Sequence, residues 1–171
     1  GPPVLLLHAG GERCDVWAPV ATVITSSRQR RCVAIDQRGH GLSEGVVERL
    51  VDFGDDVAHV LAALGEPCVV AGASLGDSLR HTGVAAMIAH LVLVDVVPAP
   101  DPMRVVPYLA ERGLDQVYPE LIQDILGAGS RLTDLLAATE IPVTLVRATR
   151  SPMTEAEVRA LRQAATGLSV T

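Results

Sequence analysis

The amino-acid sequence predicts an α/β protein: a mostly parallel sheet of about five strands with helices on both faces, plus a small helical insertion. Three observations carry that prediction. Short β-branched apolar runs recur along the chain, helix-patterned stretches separate them, and glycine-rich or polar turns follow the runs.

The runs are Val4 to Leu7, Cys32 to Ile35, Cys68 to Ala71, Leu91 to Val94 and Val143 to Val146. Each is continuously apolar, which suits strands buried on both faces. The clearest helix pattern begins with Asp55 and Asp56 and places Val57, Val60, Leu61 and Leu64 on one face. The acidic pair favours its N-terminus and Gly65 supplies its stop. Strand, helix, strand in repetition implies right-handed crossovers, so the strands run parallel. Thr154 to Ala165 reads as the helix after the fifth run, and Gly167 to Thr171 as a last strand beginning. The stretch from Pro98 to Pro142 breaks the rhythm, being longer than an ordinary crossover and carrying prolines at 98, 100, 102, 107 and 119. It reads as a helical cap with an apolar lining from Met103, Tyr108, Leu109, Leu114 and Tyr118. The organisation expected is core over 1–97, cap over 98–140 and core again over 141–171.

Composition bounds the function. At 171 residues and 49% hydrophobic content the chain can bury one sizeable core. The net charge of −6 and the absence of lysine, with arginines scattered rather than clustered, exclude a nucleic-acid footprint. No apolar run approaches the roughly 20 residues that span a bilayer, and no charged segment precedes an apolar one at the front. The expectation is a soluble, cytoplasmic protein that acts on a small molecule and binds neither nucleic acid nor membrane. Cys14, Cys32 and Cys68 lack metal-ligand spacing and read as small core residues. No metal or cofactor is expected.

In parallel sheets of this kind chemistry collects at the carboxyl ends of the strands. Gly72, Ala73, Ser74, Leu75, Gly76 follows the third run and fits the G-x-S-x-G turn, in which a strand bends sharply into a helix and lifts a serine hydroxyl above the sheet. The Leu75 amide then points at any oxyanion forming beside Ser74. His8, Ala9, Gly10, Gly11 follows the first run, where Gly10 is the choice for a second oxyanion amide and His8 reads as a structural histidine orienting the loop. The second run leads into Asp36 to Ser43, and the fourth ends at Asp95. A dinucleotide-binding reading shares the doubly wound sheet, but no G-x-G-x-x-G opens a helix after the first run.

The order His-Ala-Gly-Gly, Asp-Gln-Arg-Gly-His-Gly-Leu-Ser, Gly-Ala-Ser-Leu-Gly, Leu-Val-Leu-Val-Asp resembles the α/β hydrolase superfamily, in the branch of esterases, lactonases, C–C bond hydrolases and cofactor-free haloperoxidases. The resemblance covers Val4 to about residue 170. It implies Ser74 as the nucleophile, Gly10 and Leu75 as the oxyanion hole, and an acid and a histidine that follow in chain order. The chain departs from that pattern in several places. Ser151 stands where many relatives carry aspartate, so the acid implied is Asp95, whose alternative role is to bind loop amides. No histidine lies beyond His90. His81 falls about two helical turns past Ser74, roughly 10 Å away, His59 belongs to an opposite-facing helix pattern, and His40 reads as part of a turn. Asp77 follows the serine turn where a small residue is usual. The first run also lacks the antiparallel hairpin that usually precedes it, so the chain reads as truncated at both ends.

The implied function is therefore a serine hydrolase of a small ester, lactone or related carbonyl compound, with the catalytic histidine outside these 171 residues and little turnover expected from them alone. The alternative is a non-catalytic binding protein or an inactive remnant of the fold. The resemblance also leaves the second and fifth runs near the sheet's edges, which predicts a homodimer through an exposed edge.

Overall fold

The computed structural model describes residues 1–72, 84–165 and 167–171. Its strands are β1 (Val4–Leu7), β2 (Cys32–Ile35), β3 (Cys68–Gly72), β4 (Ile88–Val94), β5 (Val143–Val146) and β6 (Ser169–Val170). They form one parallel sheet in the order β2-β1-β3-β4-β5-β6. The sheet thus has six strands, the five apolar runs and the two-residue β6 within Gly167 to Thr171, where a last strand is expected to begin. The second and fifth runs lie near the two edges, as expected. β2 is an outer strand, but β5 pairs with β4 on one side and β6 on the other.

Helix α1 (Ala18–Arg28) links β1 to β2, and α2 (Leu50–Leu64) links β2 to β3. α2 ends at Gly65 with φ 70°, as its pattern predicts, but starts at Leu50, five residues before Asp55. The reason lies far along the chain: the Leu50 amide donates to Asp124 Oδ2 at 2.7 Å, so a distant carboxylate caps the first turn. Four helices stand between β4 and β5: α3 (Pro102–Ala110), α4 (Leu114–Val117), α5 (Pro119–Gly127) and α6 (Gly129–Ala137). α7 (Glu155–Ala164) follows β5 and opens on a capping box, in which Thr154 and Glu157 each satisfy an amide of the other.

The two sheet faces are buried unequally. Leu5, Leu7, Val70, Leu91, Leu93, Val143 and Leu145 meet Val57 and Leu61 of α2 and Val158 and Leu161 of α7 in the main core. The other face offers Val4, Leu6 and Ala71 to Trp17, Ala21 and Ile24, and α1 itself buries no residue fully. Of the cysteines read as core residues only Cys68 is buried. Cys32 is half-exposed because β2 is an edge strand, and Cys14 is half-exposed in a short 3₁₀ turn. No helix among the described residues is long and apolar enough to cross a membrane.

Candidate active site

Strand register brings the chemistry-bearing turns to one edge of the sheet. Leu7, the last residue of β1, lies level with Ile35 of β2 and Gly72 of β3, while Gly72 lies level with Leu93, and Val94 with Val146. The loops that start at His8, Asp36 and Asp95 therefore leave the sheet side by side. At Gly72 the backbone of β3 approaches β1 so closely that a Cβ would lie 2.9 Å from the Leu7 Cβ and overlap the Leu7 carbonyl. That contact explains the first glycine of the G-x-S-x-G pattern. Ser74, Leu75, Gly76, Asp77 and His81 fall outside the described residues.

Two buried histidines wire the first two loops together. His8 is 1% exposed. Its Nδ1 faces the Ala9 carbonyl at 2.8 Å and its Nε2 accepts the Gln37 amide at 3.0 Å, while the Gln37 side-chain amide donates back to the His8 carbonyl. His40, 6% exposed, faces the Arg38 carbonyl with Nδ1 at 2.8 Å and accepts the Gly11 amide on Nε2 at 3.1 Å. A carbonyl can only accept and an amide can only donate, so both rings are neutral and carry the proton on Nδ1. Neither has a nitrogen left for a substrate. His59 turns its Nδ1 to the Asp55 carbonyl on an exposed part of α2, and His90 bonds Thr144 Oγ1 between β4 and β5. Among the described residues, no histidine is placed as a base.

Asp36 is committed to the turn that follows β2. Its two oxygens accept the amides of Cys14 at 2.8 Å and Leu42 at 2.9 Å, and its carbonyl accepts the Ser43 hydroxyl at 2.7 Å. The Cys14 amide, then the Leu42 amide and the Cys14 thiol, hold its carboxyl at about 2. Gly41 at φ 57° closes the turn, because a Cβ there would overlap the Asp36 carboxylate. Arg38 leaves the same turn outward and grips Asp56 with two bonds of 2.7 Å.

Asp95 sits differently. It adopts φ 53°, one of two non-glycine residues with positive φ among the described residues. An aspartate tolerates this region better than most side chains. Its amide donates to the Val146 carbonyl at 2.8 Å, and one carboxylate oxygen accepts the Ala148 amide at 3.1 Å. The second oxygen has no partner among the described residues. Ser151, in the loop after β5, accepts the Met153 amide on its hydroxyl.

Gly10 stands open, with no atom within 4 Å of where a Cβ would lie, and its amide has no partner among the described residues. Beside it a cavity of about 90 Å³ is lined by His8, Gly10, Gln37, His40, Leu50, Phe53, Leu121 and Ile125. This lining revises the residues expected of the cap. Met103 is 83% exposed and Tyr108 lies under the Arg112 guanidinium at the surface, so neither reaches the cavity. Tyr118 stacks on His40 at 5.3 Å, and Leu114 approaches Gly11. The apolar walls are Leu121 and Ile125 of α5 with Leu50 and Phe53 of α2. Their i, i+4 spacing on α5 was the available signal, because it faces both residues the same way.

Comparison with known proteins agrees with this architecture. Residues 4–169 match the model of the alpha/beta hydrolase family. The chain is 36% identical over 110 residues to protein phosphatase methylesterase 1 of Mus musculus, a match that covers 57% of this chain and 28% of that protein. It is 30% identical over 146 residues to 2-(acetamidomethylene)succinate hydrolase of Mesorhizobium japonicum, covering 82% of this chain and 47% of that protein. The chain thus spans between about a quarter and a half of the length of these curated relatives. Among solved structures, E-2-(acetamidomethylene)succinate hydrolase superimposes with a TM-score of 0.77 at 19% identity, over 100% of this chain and 82% of that one. The enol-lactonase of Burkholderia xenovorans LB400 does so with a TM-score of 0.69 at 20% identity, over 100% of this chain and 82% of that one. With the matched segment running from the first strand to the last, the chain belongs to the alpha/beta hydrolase family.

Proposed function

We propose that the chain is the core of a serine hydrolase acting on a small ester, lactone or related carbonyl compound. Ser74 attacks the acyl carbon, the Gly10 and Leu75 amides receive the developing oxyanion, and Asp95 orients the imidazole that takes the serine proton. One observation carries this reading: in a loop where Ala9, Gly11 and Glu12 place their amides on partners, the Gly10 amide has none among the described residues, at the strand edge where β3 leads on toward Ser74. The second Asp95 oxygen, without a partner among the described residues, and the left-handed backbone there support the acid role. The helices α3 to α6 serve as the cap, and the walls from Leu121 and Ile125 suit a small apolar acyl group. The methylesterase, the 2-(acetamidomethylene)succinate hydrolase and the enol-lactonase among the similar proteins support a substrate of this class. Three free thiols suit a reducing, cytoplasmic setting.

The commitment of both nitrogens of His8 and of His40 to backbone groups favours a second reading, a binding protein that keeps the pocket without turnover. A fluorophosphonate probe separates the two. Under the first reading it forms a stable adduct that mass spectrometry maps to Ser74 and that Ser74→Ala abolishes. A folded chain that stays unlabelled supports the second.

A further inference from the structure

We propose that His40 is a positioning residue, which holds the oxyanion loop through the Gly11 amide and ties that loop to Tyr118 of the cap. The proposal rests on the serine hydrolase reading for its consequence, but its geometry stands separately.

Gly10 and Gly11 in succession give the chain its widest conformational freedom at the point where an oxyanion donor must be fixed. Ala9 and Glu12 close the loop on each other, and the His40 ring adds a restraint at Gly11 from 29 residues away. The ring is itself immobilised. Nδ1 is tied to the Arg38 carbonyl, one face stacks on Tyr118 at 5.3 Å and 27°, and the His8 and Phe53 rings stand 5.0 and 6.5 Å away. Because the Gly10–Gly11 peptide is planar, fixing the Gly11 N–H also fixes the Gly10 carbonyl, the plane after Gly10, while the plane before it, which carries the Gly10 N–H, is held through the Ala9 carbonyl on the Glu12 amide and His8 Nδ1. The Gly10 amide is thereby held without being consumed. Tyr118 stands just before α5, whose Leu121 and Ile125 line the cavity, so a shift of that helix reaches the loop through a single ring contact.

The test compares three proteins: wild type, His40→Phe, which keeps a ring against Tyr118 but has no acceptor, and His40→Gln, which restores an acceptor at about the same reach. Each is measured for the second-order rate of fluorophosphonate labelling at Ser74, hydrogen exchange at the Gly11 amide, and thermal melting. His40→Phe is expected to label about tenfold more slowly or worse, part of what loss of an oxyanion donor costs, and to exchange Gly11 faster at little change in melting. His40→Gln is expected to recover most of both. A His40→Phe protein that labels at the wild-type rate overturns the proposal, as does a folded His40→Gln that recovers nothing. Should His40→Phe not fold, His40→Gln against His40→Asn decides, since only the longer side chain reaches Gly11, and equal rates overturn it. If wild type takes no label even with imidazole added, the hydrolase reading fails, and the positioning role is then judged on Gly11 exchange, which must still rise in His40→Phe.

Discussion

Asp36 and Asp95 both end a strand of the same sheet on the same edge, yet they do opposite things. Asp36 has each oxygen on a different loop amide and draws the Cys14 and Leu42 segments together around itself. Asp95 has one oxygen on the Ala148 amide, none of the second oxygen's capacity used among the described residues, and a left-handed backbone. A carboxylate with both oxygens saturated builds a loop. A carboxylate with one oxygen anchored and one open is oriented for something else, and an imidazole N–H is what the family's chemistry would bring there.

The largest effect expected from this contrast is on chemistry. With both nitrogens of His8 and His40 on backbone groups and no described histidine placed as a base, hydrolysis of p-nitrophenyl acetate by the isolated chain should be slow and should rise when imidazole is added, by an increment absent from Ser74→Ala. Asp95→Asn should reduce that increment on the order of 100-fold or more, with little change in melting. Asp36→Asn should leave the increment within a few-fold wherever the protein is folded. If both substitutions act alike on the increment, the contrast between the two carboxylates is wrong.

Much of this arrangement was legible in the residues, and the parts that were not share a cause. The five runs became strands because continuously apolar sequence leaves an unambiguous pattern, although burial is continuous only in β1, and the turn from Asp36 to Ser43 was legible because its glycines are demanded locally. Helix α1 was harder to read, since Val20 to Ser27 is rich in β-branched and hydroxyl residues. Its Thr22, Thr25, Ser26 and Ser27 side chains bond carbonyls one turn back, a satisfaction seen only once the helix exists. The start of α2 depends on Asp124, 74 residues away, and the role of His40 on Gly11, 29 residues away. The cavity walls Leu121 and Ile125 belong to the same class. Local pattern carries the elements, whereas the site is made of long-range hydrogen bonds and contacts that no window of sequence contains.

A second, smaller effect concerns acid stability. The folded Asp36 carboxyl is held at about 2 against an ordinary value of 3.8, so the unfolded chain takes up the proton first as pH falls. Its contribution is complete above about pH 4 and is lost as the pH drops through 2. The melting temperature of wild type should therefore fall more steeply between pH 4 and 2 than that of Asp36→Asn. Parallel slopes would show that the two amides do not depend on the charge. Glu155 and Glu157 also titrate low, and are common to both proteins.

Asp124 sharpens the contrast by a third case, a carboxylate of the helical insertion committed to the core. It accepts the Leu50 amide at 2.7 Å and caps α2 across the boundary, beside the cluster of Leu50, Leu121, Ala128 and Leu132. Asp124→Ala should cost about 1 kcal/mol, the usual worth of a helix cap, and chemical denaturation should show it as a lower midpoint. Hydrogen exchange should rise first at the start of α2. An unchanged midpoint would mean that water replaces the carboxylate without penalty.

The smallest effect is expected where a carboxylate is neither saturated by amides nor held open by a left-handed backbone. Arg31 and Glu66 meet at 3.0 Å between the loops that precede β2 and β3, with side chains 56% and 54% exposed. In water at that exposure the attraction is screened, and ordering two long side chains offsets most of what remains, so such pairs are typically worth about 0–1 kcal/mol. Glu66→Gln should shift the denaturation midpoint by no more than the scatter between repeats. A loss as large as that of Asp124→Ala would mean that proximity of charge, rather than the count of amides satisfied, ranks the carboxylates of this protein.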